Sequence, residues 1–232
     1  MSRVGIIGAM DEEVIILKEE MDIIETKKIA SMDFYVGKLV DKDVVLVRCG
    51  IGKVNAAICT QILIDTFKVN VIINTGVAGA MNDKLNILDV VVSDDVLYHD
   101  FDVTGFGYKI GEIPRMDSSV FKADEKLVNI AVKAAESILQ NERVFRGRVV
   151  SGDVFVSSAE LKEKINKEFS AYCTEMEGAA IGHVSYLNNT PFVIIRAMSD
   201  KADGSAHSNF NEFVEKASNN SKDIVKSILE QI

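Results

Sequence analysis

Phe192-Val193-Ile194-Ile195-Arg196-Ala197-Met198-Ser199-Asp200 reads as a buried strand whose apolar run gives out into a Ser-Asp pair. A carboxylate at the carboxyl end of a buried strand stands where open α/β sheets place their chemistry. Two further acids stand at similar strand-to-helix transitions: Glu13, just after the first strand, and Glu177 in Thr174-Glu175-Met176-Glu177-Gly178. Three acids from three distant segments predict one polar pocket.

The rest of the chain supplies the sheet and helices that such a pocket needs. Val4-Gly5-Ile6-Ile7 reads as a strand, and Val14, Ile15, Leu17 and Met21 give Glu12–Met21 a helical spacing. Phe34–Leu39 and Val44–Cys49 flank the polar turn Asp41-Lys42-Asp43, which predicts an antiparallel pair. A helix is expected over Val54–Phe67, then a short strand Val71-Ile72-Ile73-Asn74 ending at Gly76-Val77-Ala78-Gly79. Small residues such as Ala78 and Gly79 let a backbone approach a ligand closely. Further strands are expected at Ile87–Ser93 and Arg143–Ser151. Further helices are expected at Asp124–Gln140, Ala159–Asn166, Glu177–Leu187 and Asn211–Leu229. Strands separated by helices, with one hairpin, predict a three-layer α/β/α sandwich around a central mixed sheet.

The 232 residues include two prolines and fifteen glycines, with no low-complexity run, so one domain over 1–232 is expected. A formal net charge of −9 and the lack of a basic stripe argue against a nucleic-acid partner. Met1–Ile7 lacks the marks of a secretory signal and no apolar stretch has the length to cross a bilayer, which predicts a cytoplasmic protein with no membrane partner. Cys49, Cys59 and Cys173 are odd in number and set in apolar segments, as buried reduced thiols are, which argues against a disulfide or zinc site.

Taken singly, the polar motifs have ordinary readings. Asp11, Glu12 and Glu13 complement the dipole of the helix they open. The glycines of Gly5-Ile6-Ile7-Gly8 lack dinucleotide-loop spacing, and acids there would repel a pyrophosphate. Gly50-Ile51-Gly52-Lys53-Val54 lacks the hydroxyl residue after lysine and the upstream glycine of a phosphate loop, so it reads as a turn capping a helix. Phe155, in Gly152-Asp153-Val154-Phe155-Val156, taken alone is more often a core residue than a ligand platform. Tyr98-His99-Asp100-Phe101-Asp102 has no second histidine at ligand spacing, so no metal is expected. His183 lies in a helix and His207 in a polar loop, which reads as structural or solvated.

In combination they say more. Gly5–Val14, Gly50–Val54, Ser151–Phe155, Glu175-Met176-Glu177 and Arg196–Asp200, joined by Tyr98–Tyr108, occur in order across nearly the whole chain. This set resembles the 5′-methylthioadenosine/S-adenosylhomocysteine nucleosidases. The resemblance implies the purine nucleoside phosphorylase-like fold, a homodimer, no cofactor, and hydrolysis of an N-glycosidic bond to release adenine and a thioribose, with 5′-deoxyadenosine as a further substrate. By the same resemblance Glu13 orients the attacking water, Asp200 delivers a proton to adenine N7, and Glu177 holds the ribose hydroxyls, with Arg196 and Ser199 as supports. Phe155 resembles the ring stacked on adenine, and the main chain of Val156 the group that reads its edge. Met10, Ile51 and Met176 resemble walls of the pocket, and Phe210 the cover of the 5′-alkylthio end. Val103, Phe106 and Pro114 resemble residues contributed by the neighbouring subunit.

The chemistry agrees with these assignments. Adenine leaves neutral only if N7 is protonated, so Asp200 must carry a proton when it acts, while an exposed aspartate titrates near 3.9. Glu177 is expected to stay ionised beside a sugar that gains positive charge. Val77 stands where some members of the family have a serine; it cannot donate a hydrogen bond, which favours water over phosphate as nucleophile. Two other readings fit part of the pattern. A purine nucleoside phosphorylase needs cations for a phosphate dianion, which Glu13 opposes; a non-catalytic nucleoside-binding protein has no use for Glu13.

Overall fold

The computed structural model describes residues 3–139 and 143–232. Strand β1 (Val4–Gly8) enters the core and helix α1 (Asp11–Glu19) returns over it, as the spacing predicts. The hairpin also forms, β3 (Met32–Leu39) pairing antiparallel with β4 (Lys42–Arg48). Its two-residue loop places both Val40 and Asp41 at positive φ, 50° and 57°, the backbone that suits the twist of a tight hairpin even without glycine.

A third antiparallel strand, β2 (Asp22–Ile29), precedes this pair and was not expected. Nearly all of it is exposed, so it buries no face and has no apolar alternation to betray it. Helix α2 (Lys53–Asp65) leads into β5 (Val71–Ala80), which is longer than the predicted Val71–Asn74. Gly76-Val77-Ala78-Gly79 thus lies inside a strand and not beyond its end, because β10 (Phe192–Asp200) pairs parallel with β5 along almost its whole length.

The strand expected at Ile87–Ser93 is instead β6 (Val90–Tyr98). Asp94 and Asp95 look like turn residues, yet they stay in the strand at a bulge where Arg146 and Arg148 of β8 (Val144–Ser151) pair with them. Two short strands, β7 (Phe121–Lys122) and β9 (Cys173–Glu175), were not anticipated; each is too short for a pattern. Helices α3 (Glu125–Ile138), α4 (Ala159–Phe169) and α5 (Gly178–Leu187) match the expected helices within three residues at each end, whereas α6 (Ala206–Gln231) starts five residues before the expected Asn211. Gln140, the predicted end of α3, lies outside the described residues. Asp124 and Ser158 start their helices by accepting from the N–H groups of Leu127 and Leu161.

The strands form one mixed sheet in the order β10-β6-β8-β9-β5-β1-β4-β3-β2. Beyond β5 the sheet curls until β9 meets the end of β5, closing β5, β10, β6, β8 and β9 into a ring. Helices α1, α3 and α6 cover one face through Val14, Leu17, Leu127, Ala131, Ile224 and Ile228. On the other face, α2 and α5 bury Ala56, Cys59, Leu63, Ala179 and Ile181. The three cysteines are free and buried. Among the described residues, no helix is long and apolar enough to cross a membrane.

Candidate active site

At the carboxyl ends of β1, β5 and β10 lies a cavity of about 370 Å³, a volume suited to a small-molecule ligand. Glu13, Glu177 and Asp200 all line it. Glu13 is the third residue of α1, and its side chain turns inward instead of lying along the helix surface. Its Oε2 accepts from the N–H groups of Ala9 (2.6 Å) and Met10 (3.1 Å), and its Oε1 from Val77 N–H (3.1 Å). The dipole reading of this acid is therefore incomplete. The close approach depends on Gly76, where an added Cβ would collide with both Glu13 and Arg196.

Asp200 ends β10 and is 2% exposed. Its Oδ2 accepts from Ser199 Oγ at 2.9 Å and its Oδ1 from Ala202 N–H at 2.8 Å. Burial pushes its carboxyl above the ordinary aspartate range, against the pull of these two donors. Burial also raises Glu13, although Arg196 and three backbone N–H groups oppose the shift.

Arg196 is buried behind the cavity wall. It donates to Asn74 Oδ1 at 2.6 Å, pairs with Glu175, and stands 3.8 Å from Glu177. Its burial opposes the charge, but Glu175, Glu13 and Glu177 more than offset that, so the guanidinium stays ionised. Glu175 was not singled out from the sequence, yet it ties the region together. It accepts from Ser151 Oγ, from Glu177 N–H (3.2 Å) and from Gly178 N–H (2.8 Å), capping α5 as it holds Arg196. A lone Glu in a Glu-Met-Glu run carries no sign of which carboxylate faces the ligand.

Glu177 accepts from Gly52 N–H at 2.9 Å. Burial and the nearby Glu175 push its carboxyl up to about 8, against the expectation of a plain ionised group; Arg196 pulls the other way. The folded protein then holds a proton on Glu177 that the unfolded chain, near 4.5, has lost. Stability should therefore fall as pH rises from about 4.5 to about 8, with a slope of at most about 1.4 kcal/mol per unit from this group. Glu177→Gln should flatten that slope and melt above the parent protein at pH 8, as thermal denaturation across the range would read. An unchanged slope would show that the group is not protonated in the ligand-free protein.

The other expected residues divide into three groups. Met10, Ile51, Ala78, Gly79, Phe155, Met176, Ser199 and Phe210 line the cavity with the acids, as does Val77. Val156 lines a small recess beside it, shared with Gly79, Phe155 and Asp200. Val103, Phe106 and Pro114 do not line the cavity of a single chain, and Phe106 is 85% exposed. His207, read as a residue of a polar loop, begins α6 and lines the cavity with its ring 4.9 Å from that of Phe155. Only the fold brings those two rings together. Gly52 caps α2 at φ 98°, in keeping with the capping-turn reading, and its N–H reaches the site.

Residues 3–230 match the Phosphorylase superfamily. A curated relative, the 5′-methylthioadenosine/S-adenosylhomocysteine nucleosidase of Staphylococcus aureus (strain JH9), is 46% identical over 231 residues, covering 99% of this chain and 100% of its own length. The Neisseria meningitidis nucleosidase of the same name, solved in complex with methylthio-immucillin-A, superposes with a TM-score of 0.95 at 39% identity and full coverage of both chains. The futalosine hydrolase of Helicobacter pylori strain 26695 superposes at 0.94 with 31% identity, covering 100% of this chain and 98% of its own.

Proposed function

The chain belongs to the 5′-methylthioadenosine/S-adenosylhomocysteine nucleosidases of the phosphorylase superfamily, and from that premise we propose how its cavity divides the work. The enzyme hydrolyses the N-glycosidic bond of methylthioadenosine and S-adenosylhomocysteine, releasing adenine and the thioribose product. The observation that carries this reading is the convergence of Glu13, Glu177 and Asp200 on one cavity from three elements.

In the proposed reaction, Asp200 gives its proton to adenine N7. The base then leaves neutral while the sugar gains oxocarbenium character. Its raised pKa supports this role, since the acid must hold a proton near neutral pH. Glu177 gives up its proton as the nucleoside binds and then accepts from the ribose hydroxyls as a carboxylate, with Gly52 N–H and Arg196 holding its orientation. Glu13 orients a water and takes its proton as the water attacks the anomeric carbon. Phe155 stacks on adenine beside the main chain of Val156, and Met10, Ile51 and Met176 close the walls. Phe210 covers the 5′ end. Ser199 positions Asp200 through its hydroxyl. Among the described residues no Lys or Arg lines the cavity, whose charged residues are acids, and Val77 offers no hydroxyl; both features suit water better than phosphate as nucleophile. The deciding assay is adenine release from methylthioadenosine with and without phosphate. Release that requires phosphate would overturn the hydrolytic reading.

We further propose that the enzyme works as a cytoplasmic homodimer, with 1–232 as a single nucleosidase domain. Val54 and Ile58 on α2, Leu187 on the adjoining α5 and Ile51 in the turn just before α2 are exposed apolar residues, and Ile51 also lines the cavity. A partner seated there would cover an apolar face that otherwise meets water. Val103, Phe106 and Pro114 of a partner would then complete the 5′ end of the pocket. Sedimentation should show a dimer at assay concentration, and a fully active monomer would rule this assembly out.

A further inference from the structure

Lys53 does not line the cavity, yet the segments around it carry much of what does. Its Nζ donates to Asp100 Oδ2 at 2.6 Å and lies 3.7 Å from Asp153 Oδ2. Its own backbone N–H donates to Asp153 Oδ1 at 2.9 Å, and Asp153 N–H donates to Asp100 Oδ2 at 2.9 Å. One ammonium and two carboxylates thus join three segments distant in sequence: the start of α2, the chain just after β6, and the loop after β8.

Each joined segment bears on the ligand. Asp153 stands two residues before Phe155 and three before Val156. Lys53 follows Gly52, whose N–H holds Glu177. The loop after β8 is further seated on the His99 ring, to which a Cβ at Gly152 would come within 2.5 Å, and Gly152 N–H donates to Glu175 O at 3.1 Å. The Lys53 and Asp100 side chains are only 25% and 24% exposed, so solvent screens their pair less than one at the open surface. Charge-assisted bonds of this length are among the stronger contacts a loop can have.

We propose that Lys53, with Asp100 and Asp153, is a positioning residue for nucleoside binding: it latches the loop carrying Phe155 and Val156 to the Gly52 N–H that holds Glu177. The proposal rests on the assignment of Phe155 to the base and Glu177 to the ribose. Base and sugar subsites are thereby set against each other, at the spacing one nucleoside requires. Asp200, at the end of β10 and bonded to Ser199 and Ala202, stands outside the latch. Losing the latch therefore costs ground-state binding more than the proton transfer.

Lys53→Met tests this by removing the charge while keeping most of the stem. KM for methylthioadenosine should rise about tenfold with kcat within about threefold, and Lys53→Arg should restore most of the loss. Asp153→Asn should raise KM in the same way, and the double variant should cost less than the two single effects combined, since both break one network. An unchanged KM in Lys53→Met, or kcat falling as far as KM rises with no rescue by arginine, would overturn the proposal. Adenine affinity measured by calorimetry on the same variants reads the latch without turnover. A parent protein that binds adenine but does not cleave would sink the hydrolase reading, and the adenine affinities would still decide the latch.

Discussion

Asp200→Asn is expected to lower kcat by about 10²-fold or more while leaving the binding of adenine nucleosides within about tenfold. The amide matches the carboxyl in shape, and the two local bonds can be kept. Its oxygen accepts from Ala202 N–H, and the Ser199 hydroxyl turns to accept from its NH₂. The fold should therefore tolerate the change. What the amide cannot do is release a proton to N7, so the base must leave as an anion. The pH profile offers a second reading. Burial raises Asp200, so the protonated acid persists to higher pH than for a surface aspartate, and kcat should fall as pH climbs through that raised value. Asp200→Asn should lose this limb. A variant that kept most of its turnover would remove Asp200 from the mechanism.

Glu13→Gln should have the larger effect, with hydrolysis reduced by about 10³-fold or more. Glu13 receives three backbone N–H donors on two oxygens, from Ala9 and Met10 on one and from Val77 on the other. Glutamine has one accepting oxygen, so its NH₂ must face at least one N–H. An unsatisfied buried donor costs about 1–3 kcal/mol, and the melting temperature should drop along with the rate. The two effects separate in a pre-steady-state experiment at a temperature where the variant is fully folded. Single-turnover adenine release should still be lost there, because the amide can hold a water but not accept its proton. Normal single-turnover rates would return Glu13 to a purely structural place at the start of α1.

The pattern of alternating strands and helices was legible in the sequence because it rests on periodicity. The buried strand Phe192–Asp200 and the helices over 53–65 and 178–187 each carry their own apolar signal. Strand β2 was not legible, since apart from Ile29 it is exposed, nor was the true extent of β6, since its Asp94 and Asp95 are held in the sheet by arginines some fifty residues away. Most cavity residues were legible from motifs in order. Glu175 and His207 were not: one is a carboxylate turned to a buried arginine, the other a ring brought against Phe155 by the start of α6.

The sequence alone thus determined the fold class, the acids at strand ends and the resemblance that gives them roles, because composition, spacing and order are properties of the chain. The tertiary structure alone decided that Glu175 and His207 join the three acids at the cavity, which carboxylate holds Arg196, and which way burial moves each proton. Those outcomes depend on contacts between residues such as Gly76 and Glu13, or Gly52 and Glu177, that are more than sixty positions apart. Desolvation and hydrogen bonding act through distance in space, which the order of residues does not record.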